Sequence, residues 1–493
     1  MKPSESSANE QELWINDPDR EVERTGTVEG HALERHVSWK SAAVISMGGS
    51  ILVAVSLGAM AADLGAASIF VWTFTGILGV LQCLLIAEMA GMFPHKSGGT
   101  AVYTHEAFKH KSSIPGAISN WGYWLGWIPV IPVNLVLIAG YLKGTIMPGA
   151  NTLVVAVVLA VVLYSINYFG LKPGLWSSIL MAVCAMGPLA VIALSPIFRH
   201  SLFHAAYVFP LEPLHGSWSS GTSWLLIFKW MFIAVWSSYA FESASSVMAE
   251  LKDPTKEGPK AMIAASAVGM FAYGVVPFAL LAMVGVEVLS KDPSVAFLPA
   301  ATAIFGPTGA SIVVVMLIAA LLLGSQTAII GSSRTVYEMS RDGLTLKQFG
   351  HLNKFGVPDK GMIWDCSITL LMLFVFKDNV INMVGASTIG YLMVWMLLPL
   401  SFMLLRKNQP DTPRPFKLPG IFMGVAMFSL IYNWILFFVG GFQWGGFHWK
   451  EPFMMGFIIM ATFIPFYLYR KKVQDKASAR VTSPLPDGAA EAA

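Results

Sequence analysis

The sequence predicts an all-α membrane protein of about twelve transmembrane helices, on three observations. Of its 493 residues, 55% are hydrophobic and only 12% are charged, about half the charge of an average soluble domain. The apolar residues fall in runs of roughly 20, the length a helix needs to cross about 30 Å of hydrocarbon. Lys and Arg concentrate in alternate loops, as they do where one set of loops faces the cytoplasm. Inside lipid every backbone N–H and C=O must be paired within the chain, so runs of this length are helices. The short alternating segments of a membrane β-barrel do not appear.

The spans read as roughly 40–62, 68–93, 116–142, 151–169, 174–197, 224–250, 260–286, 311–337, 361–377, 380–405, 421–440 and 453–470. One set of loops carries Arg35 and Lys40, Lys96 with Lys109 and Lys111, Lys172, Lys252 to Lys260, Arg334 to Lys360, Arg406 to Lys417, and Arg470 to Lys472. The other set holds little beyond Lys143, Arg199, Lys229, Lys291, Lys377 and Lys450. The rich set is placed in the cytoplasm, which puts both termini inside and requires an even number of spans. Residues 1–38 are polar and acidic, with Glu5, Glu10, Glu12, Asp17, Asp19, Glu21 and Glu23. They lack a cleavable-signal pattern and, like 473–493, are expected to form a disordered cytoplasmic tail.

Composition also excludes several functions. Cys83, Cys184 and Cys366 fall in separate spans, and the ten histidines show no zinc-type spacing, so no metal site or disulfide framework is expected. A Gly-rich phosphate loop is absent. No nucleophile–base pair suggests an enzyme, and no cofactor or nucleic-acid partner is expected. The bilayer is the one large partner implied.

Two spans are interrupted by residues that weaken a helix. The first reads Ser46-Met47-Gly48-Gly49-Ser50 in its middle, and the sixth reads Trp236-Ser237-Ser238-Tyr239-Ala240-Phe241-Glu242-Ser243. Glycines leave α geometry at low steric cost, and hydroxyls satisfy backbone groups that unwinding frees. Breaks at positions one and six suit two inverted five-span halves with a site where the broken helices meet. Free N–H groups near Gly49, Ser50 and Ile51 would suit a carboxylate, and carbonyls near Ser46, Met47 and Trp236 an ammonium. A zwitterionic amino acid presents both groups. Small residues such as Gly48 and Gly49 also serve close helix packing.

Glu242 sits in the middle of a membrane helix, where a charged carboxyl costs at least roughly 2.5–3.5 kcal/mol. It reads as a proton carrier or a contact to a cationic group, with interhelical hydrogen bonding as the bland alternative. Asp63 and Glu88, near span ends, are expected to be wetted. Asn134, Gln326 and Asn382 read as buried polar groups joining helices, and Ser325 and Thr327 as candidates for a sodium site.

These residues resemble the amino acid–polyamine–organocation superfamily of permeases. Gly48 to Leu52 is similar to its span-one break. Ala87-Glu88-Met89-Ala90, Phe93-Pro94, Ser97-Gly98-Gly99 and Tyr103 resemble the end of its span two. Trp236 to Ser245, with Glu250-Leu251-Lys252-Asp253-Pro254, resembles its span six. Arg334, Tyr337, Arg341-Asp342-Gly343-Leu344 and Pro358 resemble its loop after span eight, and Leu405-Arg406-Lys407 through Pro419-Gly420 its loop after span ten. The motifs are in order over about residues 40–420.

The resemblance implies a LeuT-type 5+5 inverted repeat in residues 39–405, with halves at about 40–197 and 224–405, and two further helices in 406–472. It implies a secondary active transporter of amino acids or related amines in the cytoplasmic membrane, driven by a coupling ion or counter-substrate. The run from Trp236 to Ser245 is similar to the arginine/agmatine exchanger group, which implies Trp236 as a gate over substrate and Glu242 as a pH-linked carboxylate. Ser50 and Ala240 depart from glycines usual in the family, and span five has no Lys. The expected substrate site is therefore Ser46, Met47, Gly48, Gly49, Ser50, Trp236, Ser237, Ser238, Tyr239 and Ala240, with Glu242 for coupling. A polyamine, choline-like amine or γ-amino acid is the alternative cargo, and a non-transporting amino-acid sensor the alternative of another class.

Overall fold

A computed structural model describes residues 38–93, 99–170 and 175–476. The predicted tails, apart from Ser38 and residues 473–476, lie outside the described residues, as do Pro94, Lys96, Ser97, Gly98 and Lys172 of the predicted motifs and loops. Among the described residues the regular structure is helical throughout.

Span one is α1 (Trp39–Met47) and α2 (Val53–Leu64), joined by a 3₁₀ segment at Gly48–Leu52. Span two is α3 (Ala67–Met92), followed by the short α4 (Ala101–Phe108). Span three is α5 (Ile114–Trp127) and α6 (Val130–Thr145), offset at Ile128-Pro129. Spans four and five are α7 (Thr152–Tyr168) and α8 (Leu175–Phe198). Span six is α9 (Gly221–Ser238) continued by a 3₁₀ segment at Ala240–Glu250. Span seven is α10 (Pro254–Met270) and α11 (Val276–Lys291), with a π turn at Phe271–Val275.

The eighth helix, α12 (Phe297–Arg341), has 45 residues, more than twice what a bilayer needs. Gly306, at φ 70°, and Pro307 bend it, just before the predicted span at 311–337. Spans nine to twelve are α13 (Asp359–Phe376), α14 (Val380–Asn408), α15 (Phe422–Ile435), and α16 (Pro452–Ala461) with α17 (Phe463–Tyr469).

Nine helices among the described residues are long and apolar enough to span a membrane, or ten if span five and the bent segment after it count as one. The two remaining predicted spans are α7, which has 17 residues, and α13, which carries Asp359, Lys360 and Asp365. Side-chain caps place some of the starts. Asn151 accepts from the Leu153 and Val154 amides at 3.0 and 3.2 Å, and Asn379 accepts from the Asn382 amide at 3.0 Å. Such caps satisfy amides that the helix itself leaves unpaired.

Spans one, two, three and four each pack against the span five places later, the pairing that two related five-span halves would produce. Spans three and ten approach most closely through glycines. A Cβ on Gly122 would lie 2.5 Å from the Gly390 carbonyl oxygen, and one on Gly126 would lie 2.5 Å from the Tyr391 ring. Small residues drive such contacts in membranes because van der Waals packing replaces the hydrophobic effect there. Spans eleven and twelve lean on span ten from outside.

Candidate functional site

The two interrupted segments meet. The chain at Gly48–Leu52 tightens into 3₁₀ turns instead of opening, and the Val53 amide bonds back to Ser50. Short-range bonds of this kind keep local amides engaged, so the segment offers fewer free N–H groups than a fully unwound break. Opposite it, α9 ends at Tyr239 (φ −96°, ψ −6°) and the chain continues as 3₁₀. A Cβ on Gly49 would stand 3.5 Å from the Ala240 carbonyl oxygen, an ordinary contact distance. A side chain as small as alanine would therefore fit at position 49. Tyr273 on span seven donates to the Gly49 carbonyl at 3.0 Å. Ser46 bonds the Ala42 carbonyl at 3.4 Å, and its Oγ lies 3.5 Å from that of Ser243.

Trp236 faces span three. Its indole N–H donates to the Gly126 carbonyl at 2.8 Å, and the Ser387 hydroxyl lies within 2.9 and 3.0 Å of the Leu125 and Gly126 carbonyls. The cause is local. Pro129 has no N–H to return to Leu125, four residues earlier, so a carbonyl is freed inside the membrane, and a hydroxyl on span ten satisfies it. Spans three, six and ten are joined at this point. Ser237 bonds back to the Ala234 carbonyl at 3.3 Å. The Tyr239 ring lies 4.6 Å from that of Trp395, while the Tyr239 and Ser238 hydroxyls are buried without a hydrogen-bond partner among the described residues. Ser46, Ser50, Trp236, Ser237, Ser238, Tyr239 and Ala240 are all buried, and Met47 and Gly49 are partly exposed.

Glu242 is fully buried. Thr100 hydrogen-bonds one carboxyl oxygen, which Ser245 also reaches at 3.1 Å, and Tyr391 donates to the other at 3.4 Å. Three elements therefore supply hydroxyls, and among the described residues no Lys or Arg pairs with it. A hydroxyl donates or accepts, so this shell accommodates the carboxyl both charged and protonated. A fixed cation would hold it charged.

The structure corrects the expectation for Glu88. It is buried, not wetted. Arg406 grips it at 2.8 and 2.5 Å, the Leu418 amide donates at 2.7 Å, and Arg414 Nε lies 3.4 Å away. The loop after span ten folds back over the end of span two and seals it. Asp63 is half-buried and accepts from Trp230 Nε1 at 2.9 Å. Asn134 is buried and donates to the Leu321 carbonyl at 3.3 Å, whereas Gln326 and Asn382 are only half-buried. Ser325 is buried and Thr327 exposed, so the two do not share one inward site.

Thr100, Tyr391 and Ser387 carried no signal that sequence reasoning used. Asp365 was missed as well. It is fully buried in α13, between Trp124 and Ser332. Its signal was available, since an Asp inside an apolar helix is rare.

A helical bundle that brings two interrupted spans together around buried hydroxyls and a carboxyl that, among the described residues, no Lys or Arg pairs with is the architecture of a polytopic membrane protein. Residues 37–464 match the amino acid permease family, and the chain belongs to it. It is 27% identical over 447 residues to an uncharacterized transporter of Legionella pneumophila, covering 84% of this chain and 92% of that one. It is 25% identical over 316 residues to a D-serine/D-alanine/glycine transporter of Escherichia coli, covering 60% and 64%, so it spans a little under two thirds of that relative. It is 26% identical over 361 residues to the polyamine transporter PUT1 of rice (Oryza sativa), covering 70% and 61%. Relatives of this permease are transporters, not enzymes.

Proposed function

We propose that this permease is a secondary active transporter of small zwitterionic amino acids in the cytoplasmic membrane, with both termini inside. Alternating access would open the junction of spans one and six to either face. Ser46, Met47, Gly48, Gly49 and Ser50 would supply backbone and hydroxyl contacts from one side, and Ser237, Ser238 and Ala240 from the other. Trp236 and Tyr239 would cover the substrate. Glu242 would take up and release the coupling proton.

The observation that carries this reading is Glu242, buried beside the junction in a shell of hydroxyls. A carboxyl in such a place costs too much to be idle, and its neighbours suit both protonation states. A small cargo is favoured because Ala240 and Ser50 add side chains at the crossing and their surroundings are closely packed. The name of the Escherichia coli relative agrees with that size class. The name of the rice relative favours a polyamine, but a dication needs two carboxylates. Glu88 is occupied by arginines, and Asp365 is held away by Trp124 and Ser332.

The test is uptake into proteoliposomes of a labelled panel of serine, alanine, glycine, glutamate, γ-aminobutyrate, choline and putrescine. An imposed pH gradient and preloaded substrate are varied separately. Accumulation of a small amino acid driven by acid outside, and lost in Glu242→Gln, is the expected result. Uptake only into preloaded vesicles would make the protein an exchanger. Binding without movement of any member would leave a sensor.

A further inference from the structure

A second buried carboxyl lies outside the junction of spans one and six. Asp365, in the second turn of α13, is fully buried. Its Oδ1 accepts from the Trp124 indole N–H on span three at 2.7 Å, and its Oδ2 accepts from the Ser332 hydroxyl on span eight at 2.5 Å. The titratable groups near it are Tyr164 on α7, which hydrogen-bonds Thr369 one turn further along α13 at 2.9 Å, and the adjacent Cys366. The other elements packed on α13 are α6, α12, α14 and the 3₁₀ segment Lys347–Gly350. They carry Tyr141 and Lys143; Arg334, Tyr337, Glu338 and Arg341; Tyr391, Arg406 and Lys407; and Lys347. None of these forms an ion pair with Asp365. A structural carboxylate in a membrane ordinarily has a cation, and this one has two neutral donors.

The donors differ in a way that matters. An indole N–H only donates, whereas a hydroxyl reverses. Ser332 Oγ also lies 3.4 Å from the Ile329 carbonyl. If a proton from water binds Oδ2, Ser332 turns, accepts the new O–H, and donates to Ile329. The site thus holds either protonation state without leaving an unsatisfied polar group. The charge on Asp365 sets the strength of its bond to Trp124, because hydrogen bonds to an ionised acceptor are about twice as strong as neutral ones. Trp124 lies two residues before Gly126, whose carbonyl receives the Trp236 indole and the Ser387 hydroxyl. A continuous line of hydrogen bonds and backbone therefore runs from span nine through span three to span six.

We propose that Asp365 is a second proton-binding site of this permease, distinct from Glu242, whose protonation weakens the hold of span nine on span three during the transport cycle. This rests on the transport reading above, so the first measurement does not depend on transport. Infrared difference titration of the purified protein in H₂O and D₂O reports the C=O stretch of buried protonated carboxyls. Two titrating components are expected, one lost in Asp365→Asn and the other in Glu242→Gln. Survival of every wild-type component in Asp365→Asn overturns the proposal.

Should Asp365→Asn not fold, Ser332→Ala serves in its place. Removing the reversible partner shifts the titration of that component, and an unchanged titration again overturns the proposal. In proteoliposomes, Asp365→Asn is expected to change kcat and flatten its pH profile while KM stays within about twofold. Asp365→Glu is expected to restore a pH-dependent rate. Lower thermal stability with the wild-type pH profile would make Asp365 a structural group and sink the proposal. A wild-type protein that moves no substrate would refute the transport reading, leaving the infrared result to decide the proton site.

Discussion

Glu88→Ala tests the buried ion cluster where the loop after span ten closes over the end of span two. The substitution leaves the Arg406 side chain, 13% exposed, and that of Arg414, 4% exposed, facing each other without their anion. It also leaves the buried Leu418 amide without its acceptor. Removing one partner of a buried ion pair costs roughly 3–5 kcal/mol, and an orphaned buried amide roughly 1–3 kcal/mol. The two overlap, because the loop bearing Leu418 relaxes once its anchor is gone, so the combined loss is put at about 4 kcal/mol. Equilibrium unfolding in mixed micelles with increasing SDS measures it.

Glu88→Gln is expected to lose less, since the amide oxygen still accepts from Leu418. Arg406→Met is expected to lose less again, because Arg414 and Leu418 remain on Glu88. In the double variant Glu88→Ala with Arg406→Met, the cost is expected to fall below the sum of the two single ones, since one stranded charge is removed along with its partner. A Glu88→Ala protein within about 0.5 kcal/mol of wild type would refute the reasoning, because surface groups, not buried clusters, behave that way.

Other expectations follow from the crossing of spans three, six and ten. Gly122→Ala places a Cβ 2.5 Å from the Gly390 carbonyl oxygen; spans three and ten must part, at about 1–3 kcal/mol, and the same unfolding assay reads this. Ser387→Ala strands the Leu125 carbonyl that Pro129 left free and is expected to cost about 1–3 kcal/mol; a loss near zero would mean that water replaces the hydroxyl. Trp236→Phe keeps the ring but removes the donor to Gly126, which retains Ser387. It is expected to cost about 1 kcal/mol of stability and to weaken substrate binding, measured by isotherms with the best member of the uptake panel.

The span locations were legible because length and hydropathy are properties of a single segment. Twenty apolar residues in lipid have one solution for their backbone, whatever lies beside them. Legibility extended to the two interruptions, since glycine and hydroxyl clusters act on their own helix, and to Glu242, whose place in mid-span implies burial. The form of the interruption was not legible. Whether Gly48–Leu52 opens or tightens into 3₁₀ turns depends on what Ala240 and Tyr273 press against it.

Partners were the larger blind spot. Glu88 near a span end looked wetted, because its arginines lie more than three hundred residues away and only the fold brings them near. Asp365, Trp124 and Ser332 come from three spans, and the hydroxyls around Glu242 from three elements. The sequence by itself determined the class of protein, where its long apolar helices run, and that Glu242 lies buried beside an interrupted span. The tertiary structure alone decided which carboxyls meet arginines and which meet only neutral donors. Solvation by lipid acts on each segment separately, whereas a buried carboxyl's state depends on side chains that only the packed bundle assembles.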